Sequence, residues 1–135
     1  MRRRVGLAQV ARLATLTAGS GAPHQVPICF TLLADTVYTA IDGTPKSTFG
    51  LRRMDNLRAD PRVCLLVDHY TEDWSSLWWV RIDATAREVQ TAEERGRALS
   101  ALRIKYRKYQ DQVLSGPVLA FTIDNWNAWE ASPPV

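Results

Sequence analysis

The residue types at 42–48, and their order, suit phosphate binding. A run rich in β-branched residues ends just before this segment, and a helical pattern begins within it. The amides at a helix N-terminus attract an anion, and hydroxyl and cationic side chains add donors and charge. The candidate contacts carry hydroxyls or positive charge: Lys46, Ser47, Thr48, Arg52 and Arg53. Pro45 stands where a P-loop has its second glycine, so hydrolysis of a nucleoside triphosphate is not implied. The alternative interpretation is a capped surface helix with solvated cations.

The other nucleophilic and metal-binding residue types form no recognisable site. His24 and His69 have no cysteine or histidine at zinc-ligand spacing, and the chain has no GxSxG elbow. His69 follows Asp68, so it is either an oriented general base or a polar residue at a strand end. Cys29 and Cys64 lie in apolar runs, which favours a packing role in a reducing compartment. We expect no metal ion, and no catalytic residue is assigned.

Aromatic residues are the second unusual feature of the sequence. Five tryptophans occur, and adjacent strand residues face opposite sides, so Trp78 and Trp79 cannot both enter one core. One of the two is expected at an interface or against a ligand. Residues 103–109 interleave basic and aromatic side chains, a pattern typical of nucleic-acid surfaces and, more commonly, of a solvated helix face packed by its tyrosines.

Length and composition limit the class of protein. The 135 residues fit one domain, 1–135, and 46% hydrophobic with 23% charged residues is typical of a folded soluble chain. The longest apolar runs, such as 63–67, are too short to span a membrane. A net charge of +3 does not argue for nucleic acid, whereas an anionic small molecule would fit. Arg12 and Gln9 interrupt any signal-peptide core, so we expect a cytoplasmic protein.

Periodicity and turn residues predict the elements that must position these side chains. Six strands are expected at 13–17, 25–33, 36–41, 62–70, 77–89 and 118–123. Helical spacing covers residues 2–12, a second helix begins at Ser47 or Thr48 and ends before Asp60, and a third opens with a capping box of Thr91 and Glu94. The order favours a small closed antiparallel barrel, whose interior holds little besides side chains. A sizeable ligand would then bind outside, where two barrels meet.

Four segments carry a resemblance to the pyridoxamine-phosphate-oxidase-like split barrels: 13–16, 21–30, 56–63 and 67–81. The resemblance as a whole spans nearly the whole chain. The last of them, VDHYTEDWSSLWWVR, looks like one branch of that family, the oxidoreductases that depend on the deazaflavin coenzyme F-420. The resemblance implies a mainly β fold, a six-stranded antiparallel split barrel with flanking helices. It further implies a homodimer with a cofactor site at each side of the subunit interface.

The resemblance also assigns roles to residues. Lys46, Ser47, Thr48, Arg52 or Arg53, and Asn56 would face the phosphate and the ribityl-like chain of the cofactor. The residues along the tricyclic ring would come from the second and third strands: Val26, Pro27, Ile28, Cys29, Ala40 and Ile41. Trp79 and Trp129 would close the pocket from the partner subunit. Residues 47–51 are an addition relative to the family pattern, so Lys46, Arg52 and Arg53 stay open as the main phosphate contact.

The activity implied is hydride transfer between reduced F-420 and a small unsaturated or quinone-like substrate. His69, Tyr70 or bound water would supply any proton that the substrate needs. Two alternatives keep the same barrel: an oxidoreductase that binds FMN, and a protein that binds a cofactor or a tetrapyrrole without turnover. No nucleic-acid partner and no membrane span are expected.

Overall fold

The computed structural model describes residues 1–41 and 48–131, and the side chains of residues 48–51 are not part of the description. It contains seven strands: β1 (Ala11–Leu16), β2 (Pro23–Ile28), β3 (Thr31–Leu33), β4 (Thr36–Ala40), β5 (Arg62–His69), β6 (Trp78–Glu88) and β7 (Val118–Glu130). The α-helices are α1 (Arg2–Leu7), α2 (Thr48–Ala59) and α3 (Ala92–Lys105). Short 3-10 helices occupy Trp74–Ser76 and Arg107–Asp111.

All seven strands belong to one antiparallel sheet in the order β2-β1-β5-β6-β7-β4-β3. The two end strands of this order, β2 and β3, do not pair with each other among the described residues. The closed barrel that the residue pattern favoured is therefore wrong, and the mainly β split barrel implied by the resemblance is confirmed. The chain passes from one edge of the sheet to the other at Cys29 and Phe30, which belong to neither strand.

The strand count also differs, because the single strand expected at 25–33 is two strands. β2 pairs with β1, with Leu13 opposite Val26, whereas β3 pairs with β4, with Thr31 opposite Tyr38. A continuous apolar pattern cannot reveal that its two halves have different partners. The last strand shows the opposite difference, since the short strand expected at 118–123 continues to Glu130 as the single strand β7, which pairs with β6.

Local signals in the sequence predict two helix boundaries correctly and one incorrectly. Helix α2 ends at Ala59, before Asp60, and α3 begins after Thr91, whose hydroxyl accepts a hydrogen bond from the Glu94 amide at 3.2 Å. Helix α1 ends at Leu7 rather than continuing to residue 12. Arg12 lies in β1 because strand pairing with β2 and β5 there replaces helical hydrogen bonds.

The turn between β1 and β2 needs glycine at two positions. Gly19 and Gly21 have φ of 87° and 71°, in the left-handed region where a side chain is strained. Thr17 donates its amide to the Ala22 carbonyl at 2.8 Å, and Gly21 donates to the Thr17 carbonyl at 2.8 Å. This turn brings β2 back along β1 and places residues 26–28 at an edge of the sheet.

Two apolar clusters hold the fold. The larger one fills the curled sheet and includes Phe30, Leu65, Ile82 and Phe121, each almost fully buried. The second lies between α3 and the outer side of β3, β4 and β7, and its buried members include Leu102. No helix among the described residues is both long enough and apolar enough to cross a membrane.

Candidate functional site

A cleft of about 340 Å³ lies where the sheet is split. Its walls come from β2 and the residue after it, from β4, from α2 and from the segment that follows α3. The lining residues are Pro27, Ile28, Cys29, Thr39, Ala40, Arg53, Lys108, Tyr109, Gln112 and Leu114. Because β2 pairs on one side only, an edge of backbone amides and carbonyls runs along this wall.

Three side chains fix the connection between the two edges of the sheet. The Thr39 hydroxyl donates to the Cys29 carbonyl at 2.7 Å, and the Phe30 amide donates to the Tyr106 hydroxyl at 2.9 Å. Lys105 donates its ammonium group to the Phe30 carbonyl at 2.9 Å. These bonds satisfy backbone groups that have left the ladder, so residues 27–29 have a defined position in the cleft wall.

The charge of the cleft is positive. Arg53 and Lys108 line it, and no carboxylate is among the lining residues that the structure describes. Burial lowers the pKa of the Arg53 guanidinium, and the nearby Tyr109 acts in the opposite direction. A guanidinium that has lost part of its hydration gains most from a bound anion, which restores hydrogen bonds and charge balance. The cleft therefore suits a ligand with an anionic group.

The structure places the predicted phosphate contacts differently from one another. Lys46 and Ser47 lie outside the described residues, and Thr48 starts α2 with an undescribed side chain. Arg53 lines the cleft, whereas Arg52 is exposed and does not line it. Of the two neighbouring arginines that the sequence left open, Arg53 is thus the one placed for a ligand in this cleft.

Asn56 is the remaining predicted phosphate contact, and its side chain is directed elsewhere. It is buried, with 4% of its surface exposed, and its Oδ1 accepts a hydrogen bond from the Ala18 amide at 2.8 Å. This bond joins α2 to the turn between β1 and β2. A role toward a cofactor stays a prediction for this residue.

Four of the six residues predicted along a ring line the cleft: Pro27, Ile28, Cys29 and Ala40. The other two face the interior of the sheet instead. Val26 packs against the larger apolar cluster, and Ile41 is a buried member of it. Alternation along β2 separates Val26 from Pro27, because successive side chains point to opposite faces. Ile28 lies on the same face as Val26 and is buried in the same cluster, but it also borders the cleft at the end of β2.

Trp79 and Trp129 lie directly opposite each other on β6 and β7. Trp79 is half-buried and Trp129 has 45% of its surface exposed. Neither tryptophan is among the described residues that line the cleft of their own chain. Their expected role, which needs a partner subunit, stays a prediction.

The two candidate proton donors lie away from this cleft. His69 lines a second cleft of about 440 Å³ together with residues of α1, β1 and β6, and its ring stacks on Trp78 with centroids 6.0 Å apart. The Arg4 guanidinium lies over the Trp78 ring, 5.3 Å from the ring centroid. Tyr70 is 65% exposed. No group of three or more metal-ligating side chains occurs in the described ranges 1–41 and 48–131.

The residues that sequence reasoning missed come mainly from one segment. Lys108, Tyr109, Gln112 and Leu114 all follow α3, and their contact with β2 joins positions about 80 residues apart in the sequence. The basic and aromatic run at 103–109 was the available signal. Its pattern indicated a surface, but nothing local in it indicates which strand the surface adjoins.

Comparisons with solved structures give the same fold at low sequence identity. A hypothetical protein from Mycobacterium tuberculosis superposes with a TM-score of 0.78 at 19% identity, covering 96% of this chain and 81% of the other. An FAD-binding protein from Mesorhizobium loti gives 0.70 at 20% identity, with 93% and 88% covered. The heme storage protein HutZ from Vibrio cholerae gives 0.70 at 16% identity, with 90% and 85% covered.

Sequence comparison identifies the family without identifying a near relative. No curated protein sequence matches the chain significantly. The family model described as pyridoxamine 5'-phosphate oxidase matches residues 1–130, which include every strand and helix given above. The chain therefore belongs to the pyridoxamine 5'-phosphate oxidase family.

Proposed function

We propose that this protein is an oxidoreductase that binds the deazaflavin coenzyme F-420 in the cleft at the split of the sheet. The observation that carries the proposal is the convergence of Pro27–Cys29, Ala40 and Arg53 on that one cleft. The resemblance implies that Pro27–Cys29 and Ala40 face the ring and that Arg53 faces the phosphate. The resemblance of residues 67–81 to the F-420 branch selects the deazaflavin among the cofactors that the cleft could hold.

The lining residues fit such a cofactor chemically. Pro27, Ile28 and Ala40 offer apolar surface to a flat ring, and the edge of β2 offers backbone donors and acceptors to its pyrimidine part. Arg53 and Lys108 offer positive charge to the phosphate and to the acidic tail of F-420. When bound, the reduced cofactor supplies the hydride, and the polypeptide contributes position and exclusion of water.

A second subunit would complete the site. The cleft lies at the lower end of the roughly 300–1,000 Å³ that ligand pockets occupy, and Pro27, Lys108 and Gln112 at its rim are exposed. One chain therefore leaves part of a tricyclic ring and its side chain uncovered. We propose a homodimer in which the Trp79 and Trp129 pair covers the partner's cleft, since aromatic side chains dominate such contacts.

The substrate proposed is small and unsaturated or quinone-like, because it must lie flat against a ring to accept hydride. His69 and Tyr70 do not reach the cleft of their own chain, so a proton would come from water or from the partner subunit. The cytoplasm is the proposed location, as expected from the reduced cysteines.

FMN is the second candidate cofactor. An FAD-binding protein shares the fold, and a flavin phosphate would use Arg53 in the same way. A protein that stores a tetrapyrrole without turnover is the remaining alternative, since a heme storage protein also shares the fold. The same cleft and cations would serve any of these planar anions, so affinity has to separate them.

The decisive experiment is a titration of the purified apoprotein with F-420, FMN and heme in parallel, at fixed salt, followed by ligand fluorescence or absorbance. Micromolar or tighter binding selective for F-420, followed by multiple turnovers with reduced cofactor and quinone acceptors, is the expected result. Tighter binding of FMN than of F-420 would indicate a flavin-dependent enzyme instead. Tight heme binding without turnover would overturn the proposed oxidoreductase activity.

A further inference from the structure

The second cleft, which His69 lines, lies where β5 extends beyond β1. Arg12 is opposite Leu66, and β1 begins one residue before Arg12, whereas β5 continues to His69. Residues 7–10, at the end of α1 and before β1, border the resulting gap. The volume of about 440 Å³ lies within the range of roughly 300–1,000 Å³ that ligand pockets occupy. The second cleft is therefore large enough for a small organic molecule.

The second cleft is a neighbour of the cleft at the split of the sheet. Arg12 lines the second cleft, Pro27 lines the cleft at the split, and the two residues lie directly opposite each other on β1 and β2. Directly opposite residues of an antiparallel pair share one face, and neighbouring strands lie about 5 Å apart. A ligand in the second cleft can therefore reach across this pair toward a ligand at the split.

The surface of the second cleft is flat and apolar on the side of His69 and open to solvent. The imidazole of His69 is exposed, and it stacks on Trp78 with an angle of 17° between the ring planes. Leu7 and Val10, which also line the cleft, have 69% and 39% of their surface exposed. An exposed ring held in place beside exposed aliphatic side chains favours contact with another flat, apolar ring.

The charged side chains of the second cleft are already paired. Arg4 donates to Glu130 Oε1 at 2.9 Å, and Arg12 donates to Asp68 Oδ1 at 3.1 Å. Hydrogen-bond donors nevertheless remain for a ligand. Arg4 has a terminal nitrogen, Nη1, without a partner among the described residues, and Gln9 contributes an exposed amide side chain. The second cleft thus offers donors to an oxygen atom without an excess of positive charge.

This charge balance separates the two clefts. At the split, Arg53 and Lys108 are present without a carboxylate among the described lining residues, which suits an anion. In the second cleft an anion would meet the carboxylate of Asp68 and would compete with it for Arg12. A partly desolvated carboxylate without a partner is costly, so this cleft favours an uncharged ligand.

We propose that the second cleft binds the hydride acceptor, and that the acceptor is an uncharged, planar, conjugated carbonyl compound, of which a quinone is one example. Its ring lies on His69 and against Leu7 and Val10, and its carbonyl oxygen accepts a hydrogen bond from Gln9 or Arg4. It gains a hydride from the reduced cofactor and a proton from water, and the cofactor loses the two electrons. The role as substrate rests on the oxidoreductase function proposed above, whereas binding in this cleft does not require a cofactor.

The test uses the apoprotein labelled with ¹⁵N and two probes that share one ring system, coumarin and coumarin-3-carboxylate. The tryptophan indole N–H signals report binding by NMR, and the variant Trp78→Phe identifies the signal of Trp78. We expect coumarin to shift this signal along a saturable curve. Coumarin-3-carboxylate should bind at least about fivefold more weakly, because its charge lacks a partner in the second cleft.

Two variants test the contacts, and a third serves as the control. His69→Ala should raise the dissociation constant of coumarin about fivefold through loss of the ring contact. His24→Ala is the matched control, because the other histidine of the chain lines neither cleft. Ala8→Leu fills part of the second cleft and should weaken coumarin binding, while the affinity for F-420 stays unchanged because Ala8 does not line the cleft at the split.

Three results would overturn the proposal: no shift of the Trp78 signal by coumarin, equal affinity for the two probes, or equal effects of His69→Ala and His24→Ala. A separate titration with F-420 distinguishes this proposal from the proposed function. F-420 binding without coumarin binding would contradict this inference alone. Coumarin binding with the expected selectivity, in a protein that binds no F-420, would confirm the site for an uncharged ligand and overturn its role as a substrate site.

Discussion

The carboxylate of Glu94 joins α3 to strand β4 through Tyr38, whose hydroxyl donates to Glu94 Oε2 at 2.6 Å. The same carboxylate accepts hydrogen bonds from both terminal nitrogens of the Arg87 guanidinium, at 2.7 and 2.6 Å. In a capping box the residue at this position returns to the helix N-terminus, but here the side chain connects the helix to two strands. Tyr38 precedes Thr39 and Ala40 in β4, and these two residues line the cleft. Glu94 therefore supports one wall of the cleft.

Removing the charge of Glu94 should destabilise the protein. For Glu94→Gln we expect a loss of about 1–2 kcal/mol in the free energy of unfolding at pH 7, because charge-assisted bonds to Tyr38 and Arg87 are weakened and Arg87 is partly exposed. Urea denaturation measures it. Glu93→Gln is the matched control, since Glu93 is exposed and pairs with Arg97 within the helix. Equal effects of the two variants would refute the assignment.

The same residue predicts a pH dependence. Hydrogen bonds from Arg87 and Tyr38 lower the pKa of Glu94 from 4.5 to about 2. A carboxylate with a lowered folded-state pKa stabilises the protein above the unfolded pKa, and this contribution is lost as the pH falls through the folded one. The difference in unfolding free energy between wild type and Glu94→Gln should therefore shrink between pH 4.5 and pH 2. A difference that stays constant across this window would contradict the prediction.

Arg53→Ala should weaken cofactor binding, whereas Arg52→Ala should not. Loss of a partly buried cation that bonds a phosphate costs about 1–3 kcal/mol, which raises the dissociation constant about 5- to 150-fold. Fluorescence titration with F-420 measures both variants, and thermal unfolding checks that each one folds. Comparable weakening by the two substitutions would mean that overall charge, rather than a contact in the cleft, governs binding.

Asn56→Ala should act on stability more than on binding. Its Oδ1 accepts the Ala18 amide, and without it that amide is left unsatisfied in a partly buried place, at a cost of about 1–3 kcal/mol. The exposed neighbour Asp55→Ala provides the control. If Asn56→Ala instead left the melting temperature unchanged and abolished cofactor binding, the residue would contact the ligand, as the resemblance implies.

The proposed dimer predicts a specific effect of tryptophan substitutions. Trp79→Ala should raise the dimer dissociation constant by at least about tenfold, because large aromatic contacts contribute about 2 kcal/mol or more to such interfaces. Analytical ultracentrifugation measures it, with Trp74→Ala, at a 68% exposed position, as the reference. A protein that is monomeric at all concentrations, or a Trp79→Ala dimer of unchanged affinity, would remove the basis for this arrangement.

Local signals in the sequence were sufficient for several elements. The end of α2 before Asp60 and the cap of α3 at Thr91 depend on hydrogen bonds between residues a few positions apart. Such bonds form within a segment, so the segment's own residues encode them. The apolar alternation of β6 was equally readable, because the sheet buries one of its two faces.

Interactions between distant segments decided the candidate site. The sequence placed a phosphate near α2 and a ring along 26–29, but it could not choose Arg53 over Arg52 or separate Pro27 from Val26. It also gave no reason to place Lys108 and Tyr109 beside them. The division of residues 25–33 into two strands was likewise invisible, since it depends on β3 pairing with β4 and β4 with β7.

Residue types at short spacing were enough to predict the family and most of the helices and strands, and they select a segment suited to phosphate, which stays a prediction. The position of the split in the sheet and the set of side chains that line the cleft depend on contacts between distant segments. Strand partners and cleft walls are set by the packing of the whole chain, in which a single-residue step along a strand reverses the face.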